Sequence, residues 1–152
     1  MVEVVICITL LAMIMAIMIS FLSMSTRTTL ENRASARYQN DIDNFLYNLL
    51  IESKSANSME ASEDKLSLTI NFDENTVIYR FDPNTKTISR NGREIVRSRY
   101  GTVYYGLDCK FVPVEGDSER ITLNINLGNR NVIQYPIRIC HVQDTYVGED
   151  KP

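Results

Sequence analysis

The feature that most constrains this chain is an uninterrupted apolar run close to its start. Residues 4–22 read VVICITLLAMIMAIMISFL, interrupted only by Thr9 and Ser20. As a helix with a rise of 1.5 Å per residue the run spans about 28 Å, close to the roughly 30 Å hydrocarbon core of a bilayer. It is apolar on every side, as a helix is when lipid or protein surrounds it completely. A chain of 152 residues has one modest core and can hardly enclose such a helix. A secretory signal peptide would bring a basic n-region, a shorter apolar stretch and a small-residue cleavage site, and the run shows none of these. A transmembrane and assembly helix is therefore expected over residues 1–22. Glu3 is the one charge in that stretch. A carboxylate carried into lipid is costly, so Glu3 either stays at the water boundary, where a helix N-terminus favours it, or meets a cationic partner.

The helical pattern continues past the apolar run. Up to Ser89 the chain has no Gly, and Pro83 is its only Pro. Leu30, Ala34, Tyr38, Ile42, Phe45, Leu46, Leu49 and Leu50 recur at spacings of three and four, which is one stripe of an amphipathic helix. Arg33, Arg37, Asn40, Asp43 and Asn44 lie outside it. This amphipathic segment, residues 23–55, is expected to continue into the head and to pack its stripe on the protein's own sheet. Helicity should fade in the Ser-rich stretch 53–62.

From Lys65 the period changes to two. KLSLTIN alternates Leu66, Leu68 and Ile70 on one face, TVIYRF follows, and Asp82-Pro83-Asn84 supplies a turn. KTISR and REIVR flank Asn91-Gly92, the strongest hairpin signal in the chain. Further strands are expected over 107–112, 120–127 and 131–142, with turns at Gly116-Asp117 and Gly128-Asn129. Pro136 cannot donate to a ladder, so the last strand belongs at an edge or a bulge. The expected fold is α+β: a long N-terminal helix, half membrane and half amphipathic, packed on an antiparallel sheet head over 64–152.

A Glu that opens an uninterrupted apolar helix, which then turns amphipathic and meets an antiparallel sheet, resembles the type IV pilin and type II secretion pseudopilin family. Met1-Val2-Glu3-Val4-Val5 and the apolar run look like the interior of that family's N-terminal motif: an aromatic residue, two or three small or apolar residues, then Glu. In the family that Glu is fifth after the processing site, so the sequence reads as starting two residues late, without the Gly-Phe junction and basic leader. The layout of 37–50, LSLTI, TVIYRF and the Asn-Gly hairpin is similar to the minor subunits of the J-type pseudopilin or W-type pilin group. Many major pilins carry a helix-breaking Pro late in the membrane segment. Here MISFL with Ser20 stands in its place, so the helix should stay continuous.

The resemblance implies a membrane-anchored filament subunit whose partners are other pilin or pseudopilin subunits and membrane lipid. It implies a single pass through the inner or cytoplasmic membrane, an extracytoplasmic head, incorporation in a filament, and N-methylation of a processed chain. Glu3 would act in assembly, opposite the N-terminal ammonium of an adjacent subunit. The reading from a different class is a membrane-tethered extracytoplasmic binding or sensor module.

Enzyme chemistry is not expected. His141 is the only histidine and follows Cys140 on an expected strand, where adjacent side chains point to opposite faces. Nucleophile elbows, phosphate loops and zinc spacings are missing, so no cofactor, metal or small-molecule substrate is expected. The acidic groups Asp73-Glu74, Glu115-Asp117-Glu119 and Glu149-Asp150 read as solvated turns before calcium ligands. Arg90, Arg93, Arg97 and Arg99 interleave with Tyr100, Tyr104 and Tyr105, a pattern able to meet phosphates and bases. A net charge of −3 gives no general attraction to nucleic acid, and charges guarding a hairpin edge are the preferred account. Both head cysteines lie beyond the membrane, where an oxidising compartment permits bonding. A Cys109–Cys140 disulfide is expected, with Cys7 free; two buried thiols on separate strands are the alternative.

Overall fold

The computed structural model describes residues 2–128 and 132–139, without the side chain of Ser118. Its first element is a single helix, α1 (Val2–Lys54), which the absence of Gly and Pro permits. Ser hydroxyls close its C-terminal end: Ser53 Oγ donates to the Leu50 carbonyl at 3.0 Å and Ser55 Oγ to the Ile51 carbonyl at 3.2 Å. They take up carbonyls that the last turn would leave without partners, and Lys54 adds a cation where the helix dipole favours one. The chain forms two compact units, divided between Arg37 and Tyr38.

In the first unit α1 carries its apolar run wholly exposed, and it is long and apolar enough to cross a membrane once. The two polar residues of the run are satisfied within the helix. Thr9 Oγ1 donates to the Val5 and Ile6 carbonyls at 3.0 and 2.8 Å, and Ser20 Oγ to the Ala16 carbonyl at 2.9 Å. Neither therefore needs water at membrane depth. The next stretch, 23–33, is exposed all round. Thr26, Thr28 and Thr29 bond back to carbonyls four residues earlier, and Arg27 pairs with Glu31 at 3.0 Å.

The second unit is the head. Here Tyr38, Ile42, Phe45 and Leu49 of α1 are buried against a five-stranded antiparallel sheet, as the stripe requires. The strands are β1 (Ser58–Ala61), β2 (Ser67–Asn71), β3 (Thr76–Asp82), β4 (Thr87–Arg90) and β5 (Arg93–Arg97), paired in sequence order. Leu68 and Ile70 of β2, Val77, Tyr79 and Phe81 of β3, Ile88 of β4 and Val96 of β5 face the core. The β3–β4 turn is organised by Asp82, whose carboxylate accepts the Asn84 amide at 2.8 Å. Asn91 and Gly92 turn β4 into β5 with φ of 50° and 78°, the left-handed pair that a two-residue hairpin demands. Asn91 is also clipped to β3, exchanging two 2.8 Å bonds with Ile78.

The chain then makes a small hairpin, β6 (Arg99–Tyr100) with β7 (Val103–Tyr104), and a three-stranded sheet. That sheet contains β8 (Asp108–Val114), β9 (Asp117–Asn126) and β10 (Ile133–Arg138), with β9 in the middle. Cys109, Phe111, Ile121, Leu123, Ile125 and Ile137 contribute its core face. Pro136 sits on β10, at the edge of this sheet, as its missing donor requires.

The α+β expectation holds, and several details differ from it. Strand structure begins at Ser58 and not at Lys65, because SMEA pairs with β2 despite its helix-forming residues; tertiary pairing overrides propensity in so short a strand. The meander is divided into five-, three- and two-stranded sheets. Leu30 and Leu50 of the expected stripe remain 58% and 38% exposed. The described part of the last strand covers only Ile133–Arg138, and residues 131 and 140–142 of the expected span lie outside the described residues.

Candidate functional site

Glu3 lies in the first turn of α1, at the start of the exposed apolar surface. From Val4 to Leu22 every large apolar side chain is more than half exposed. Monomeric soluble proteins rarely show contiguous apolar patches beyond a few hundred Å². One candidate site is therefore this surface itself, with a carboxylate at its origin.

A second feature was not visible in the residues alone. The face of α1 that carries the apolar stripe also carries Asp41 and Glu52, and each finds a partner on the sheet. Glu52 accepts from Arg90 Nε at 3.0 Å and Nη2 at 2.5 Å through Oε1, while Tyr79 Oη donates to Oε2 at 2.8 Å. The Glu52 bonds hold the Arg90 guanidinium above its usual range. Burial, reinforced by the Glu52 carboxylate, pushes the Tyr79 hydroxyl well above the ordinary tyrosine value. Tyr100 Oη donates to Asp41, and burial followed by that carboxylate raises its hydroxyl in the same way. Tyr38 stacks on Tyr105 with ring centroids 4.5 Å apart and donates to the Gly106 carbonyl at 3.3 Å. The available signal was helical register: Asp41 and Glu52 fall on the same turn-to-turn face as Phe45 and Leu49. A carboxylate inside an apolar stripe asks for a cation or a hydroxyl opposite.

Between α1 and the β4–β5 hairpin lies a cavity of about 500 Å³, whose walls include Asp41, Asn44 and Asn48 on one side and Arg93, Glu94 and Ile95 on the other. The structure thus redistributes the four arginines singled out in the sequence. Arg90 is engaged by Glu52, and Arg97 Nε meets Glu94 Oε1 at 2.8 Å. Arg99 Nε donates to the Gly101 carbonyl at 3.2 Å, and Arg93 lines the cavity. Tyr100 and Tyr105 point inward and only Tyr104 is exposed. Basic and aromatic groups do not form one continuous outward surface.

Cys109 is a buried free thiol on β8, and Cys7 is exposed on α1. Cys140, the other half of the expected disulfide, and His141 lie outside the described residues. So do Glu149 and Asp150. Asp73 accepts from Asn57 Nδ2 at 2.6 Å, and Asp117 pairs with Arg120 at 3.2 Å while capping the Glu119 amide. Among the described residues no three His, Cys, Asp or Glu side chains converge to hold a metal. Comparison of the chain with family profiles, with curated proteins and with solved structures finds no match.

Proposed function

We propose that this chain is a minor subunit of the type IV pilin or type II secretion pseudopilin kind, a structural and not a catalytic protein. The observation that carries the reading is the division of labour along α1. One continuous helix is wholly exposed and apolar over its first 22 residues, opens with Glu3, and supplies the core of an α+β head further on. In this reading lipid covers the apolar surface while the subunit is stored in the membrane. Neighbouring subunit helices replace lipid during filament assembly, and Glu3 meets the N-terminal ammonium of one of them. The extracytoplasmic head sets which neighbours fit.

The test is Glu3→Ala in cells that express the chain, with membrane fractionation and filament counting in the same strain. Normal membrane levels with failed assembly are expected, because the substitution leaves a neighbour's ammonium without its carboxylate while removing the only charge from the span. Unimpaired filaments would remove the assembly role from Glu3.

One observation bears on this reading and on the alternative, a membrane-tethered extracytoplasmic binding or sensor module, because both put the head outside. Arg27, Arg33 and Arg37 follow the apolar run within 15 residues, and a basic flank biases that side of a span toward the cytoplasm. Accessibility of a cysteine introduced at Tyr104, an exposed head position, to a membrane-impermeant thiol reagent decides the orientation. Labelling of intact cells fits the filament subunit. Labelling only after lysis places the head inside and excludes both readings.

A further inference from the structure

We propose that the groove between α1 and the outer edge of β5 receives a short extended peptide. The peptide runs antiparallel to β5, with a cationic group toward its N-terminal end and a carboxylate toward its C-terminal end. This inference goes beyond the filament reading and does not depend on it.

Among the described residues the edge is open on one side of the sheet only. β1, at the far side, runs alongside β8 and β9, whereas β5 is the last strand of its sheet. An open edge carries a row of backbone donors and acceptors that a further strand can satisfy. The chain itself begins to do so: the Tyr105 amide donates to the Ser98 carbonyl at 2.7 Å, just past the end of β5. It then turns away at Gly106, which passes so close to Gly128 that a Cβ on Gly106 would lie 2.7 Å from the Gly128 Cα. Arg93, Glu94 and Ile95 of β5 face Asp41, Asn44, Asn48 and Glu52 of α1 across the cavity of about 500 Å³.

Hydrogen bonds at the two ends fix the direction of the walls. Asp41 meets Tyr100, beyond the C-terminal end of β5, and Glu52 meets Arg90, at the hairpin end. Within the groove Glu52 is neutralised by Arg90 and Glu94 by Arg97. Among the described residues that leaves the Asp41 carboxylate, hydrogen-bonded to a tyrosine but in no ion pair, at one end, and the Arg93 guanidinium at the other. A guest strand antiparallel to β5 has its N-terminal end at Asp41 and its C-terminal end at Arg93, which sets the order of its charges. Asn44 and Asn48, exposed on the helix wall, present amides that both donate and accept toward the guest's second edge.

The test uses the full-length chain in detergent micelles and two fluorescein-labelled probes with blocked ends, Lys-Thr-Val-Thr-Glu and its reverse Glu-Thr-Val-Thr-Lys. Fluorescence anisotropy should show saturable binding of the first, at least tenfold tighter than of the second. Arg93→Glu should abolish that preference while leaving the melting temperature unchanged, since Arg93 holds no side-chain partner among the described residues. Amide exchange along residues 94–96 should slow when the first probe binds. Absence of saturable binding, equal binding of the two probes, or an unaltered preference in Arg93→Glu would each overturn the proposal.

Discussion

The two halves of α1 share a backbone and differ in what completes them. From Tyr38 onward every third or fourth side chain is buried, with Phe45 and Leu49 each 1% exposed. In the first 22 residues Ile14, Ile17 and Phe21 are 55%, 66% and 72% exposed. Fully burying a side chain of this size contributes about 1.5 to 3 kcal/mol. The head collects that stabilisation from its own sheets, and the apolar half leaves it to be collected from lipid or from other chains. Propensity makes both halves helical, and among the described residues only the head half is buried by the chain's own side chains.

The comparison is broken most sharply by two substitutions, one in each half. Phe45→Ala empties a site packed edge-to-face on Tyr79 at 5.7 Å, and a buried Phe→Ala change costs about 3 to 5 kcal/mol. Denaturant unfolding of the head should record that loss with membrane association intact. Ile14→Arg should do the reverse, placing an arginine at the centre of the run at a cost of about 3 kcal/mol on insertion scales. The head should unfold at the wild-type midpoint while the membrane-bound fraction falls. Loss of head stability in Ile14→Arg would show that the stability of the head depends on the apolar run.

These substitutions also show what the residues alone made legible. The apolar run, the stripe through Tyr38, Ile42, Phe45 and Leu49, and the Asn91-Gly92 hairpin are each set by local period or local backbone demand, so they could be read directly. β1 could not, because SMEA becomes a strand only by pairing with β2 and lying beside the second sheet. Nor could the Glu52–Tyr79–Arg90 arrangement, whose members lie 27 and 38 residues apart and meet only once the helix docks. Arg90 shows the cost of reading composition: in the sequence it is one of four basic residues on a hairpin, while in the fold it anchors the helix end. The role of Glu3 is less legible still, since its expected partner belongs to another molecule.

A smaller effect sharpens the head side of the comparison. Arg90 is partly exposed, so solvent screening reduces what its pair with Glu52 contributes. Arg90→Ser should cost about 1 to 2 kcal/mol, chiefly because the half-buried Glu52 loses a charge-assisted donor. Arg93→Ser, with no side-chain partner among the described residues to lose, should stay within about 0.5 kcal/mol. Alkaline pH probes the same cluster from the tyrosine side. Tyr79 has its folded value raised, so its contribution is complete below the unfolded tyrosine value of about 10. It is lost as pH rises from there toward the folded value, because only the unfolded chain then releases the proton. Stability measured across pH 9 to 12 should therefore fall, and the fall should be shallower in Tyr79→Phe.

The smallest expected effect separates the halves by chemistry and leaves their stability untouched. Cys7 is exposed on the apolar half of α1 and Cys109 is buried on β8. Burial first, and the neighbouring Asp108 carboxylate second, push the Cys109 thiol far above the usual thiol range. Only the thiolate attacks an alkylating reagent, so folded protein at pH 8 should leave Cys109 unlabelled for as long as the head is folded. Unfolding in urea without reductant then distinguishes a buried thiol from a bonded one. Cys109 is a free thiol in the structure, so the Cys109 peptide should carry the alkyl label in urea without reductant. Recovery of a Cys109–Cys140 cross-linked peptide would instead establish the disulfide.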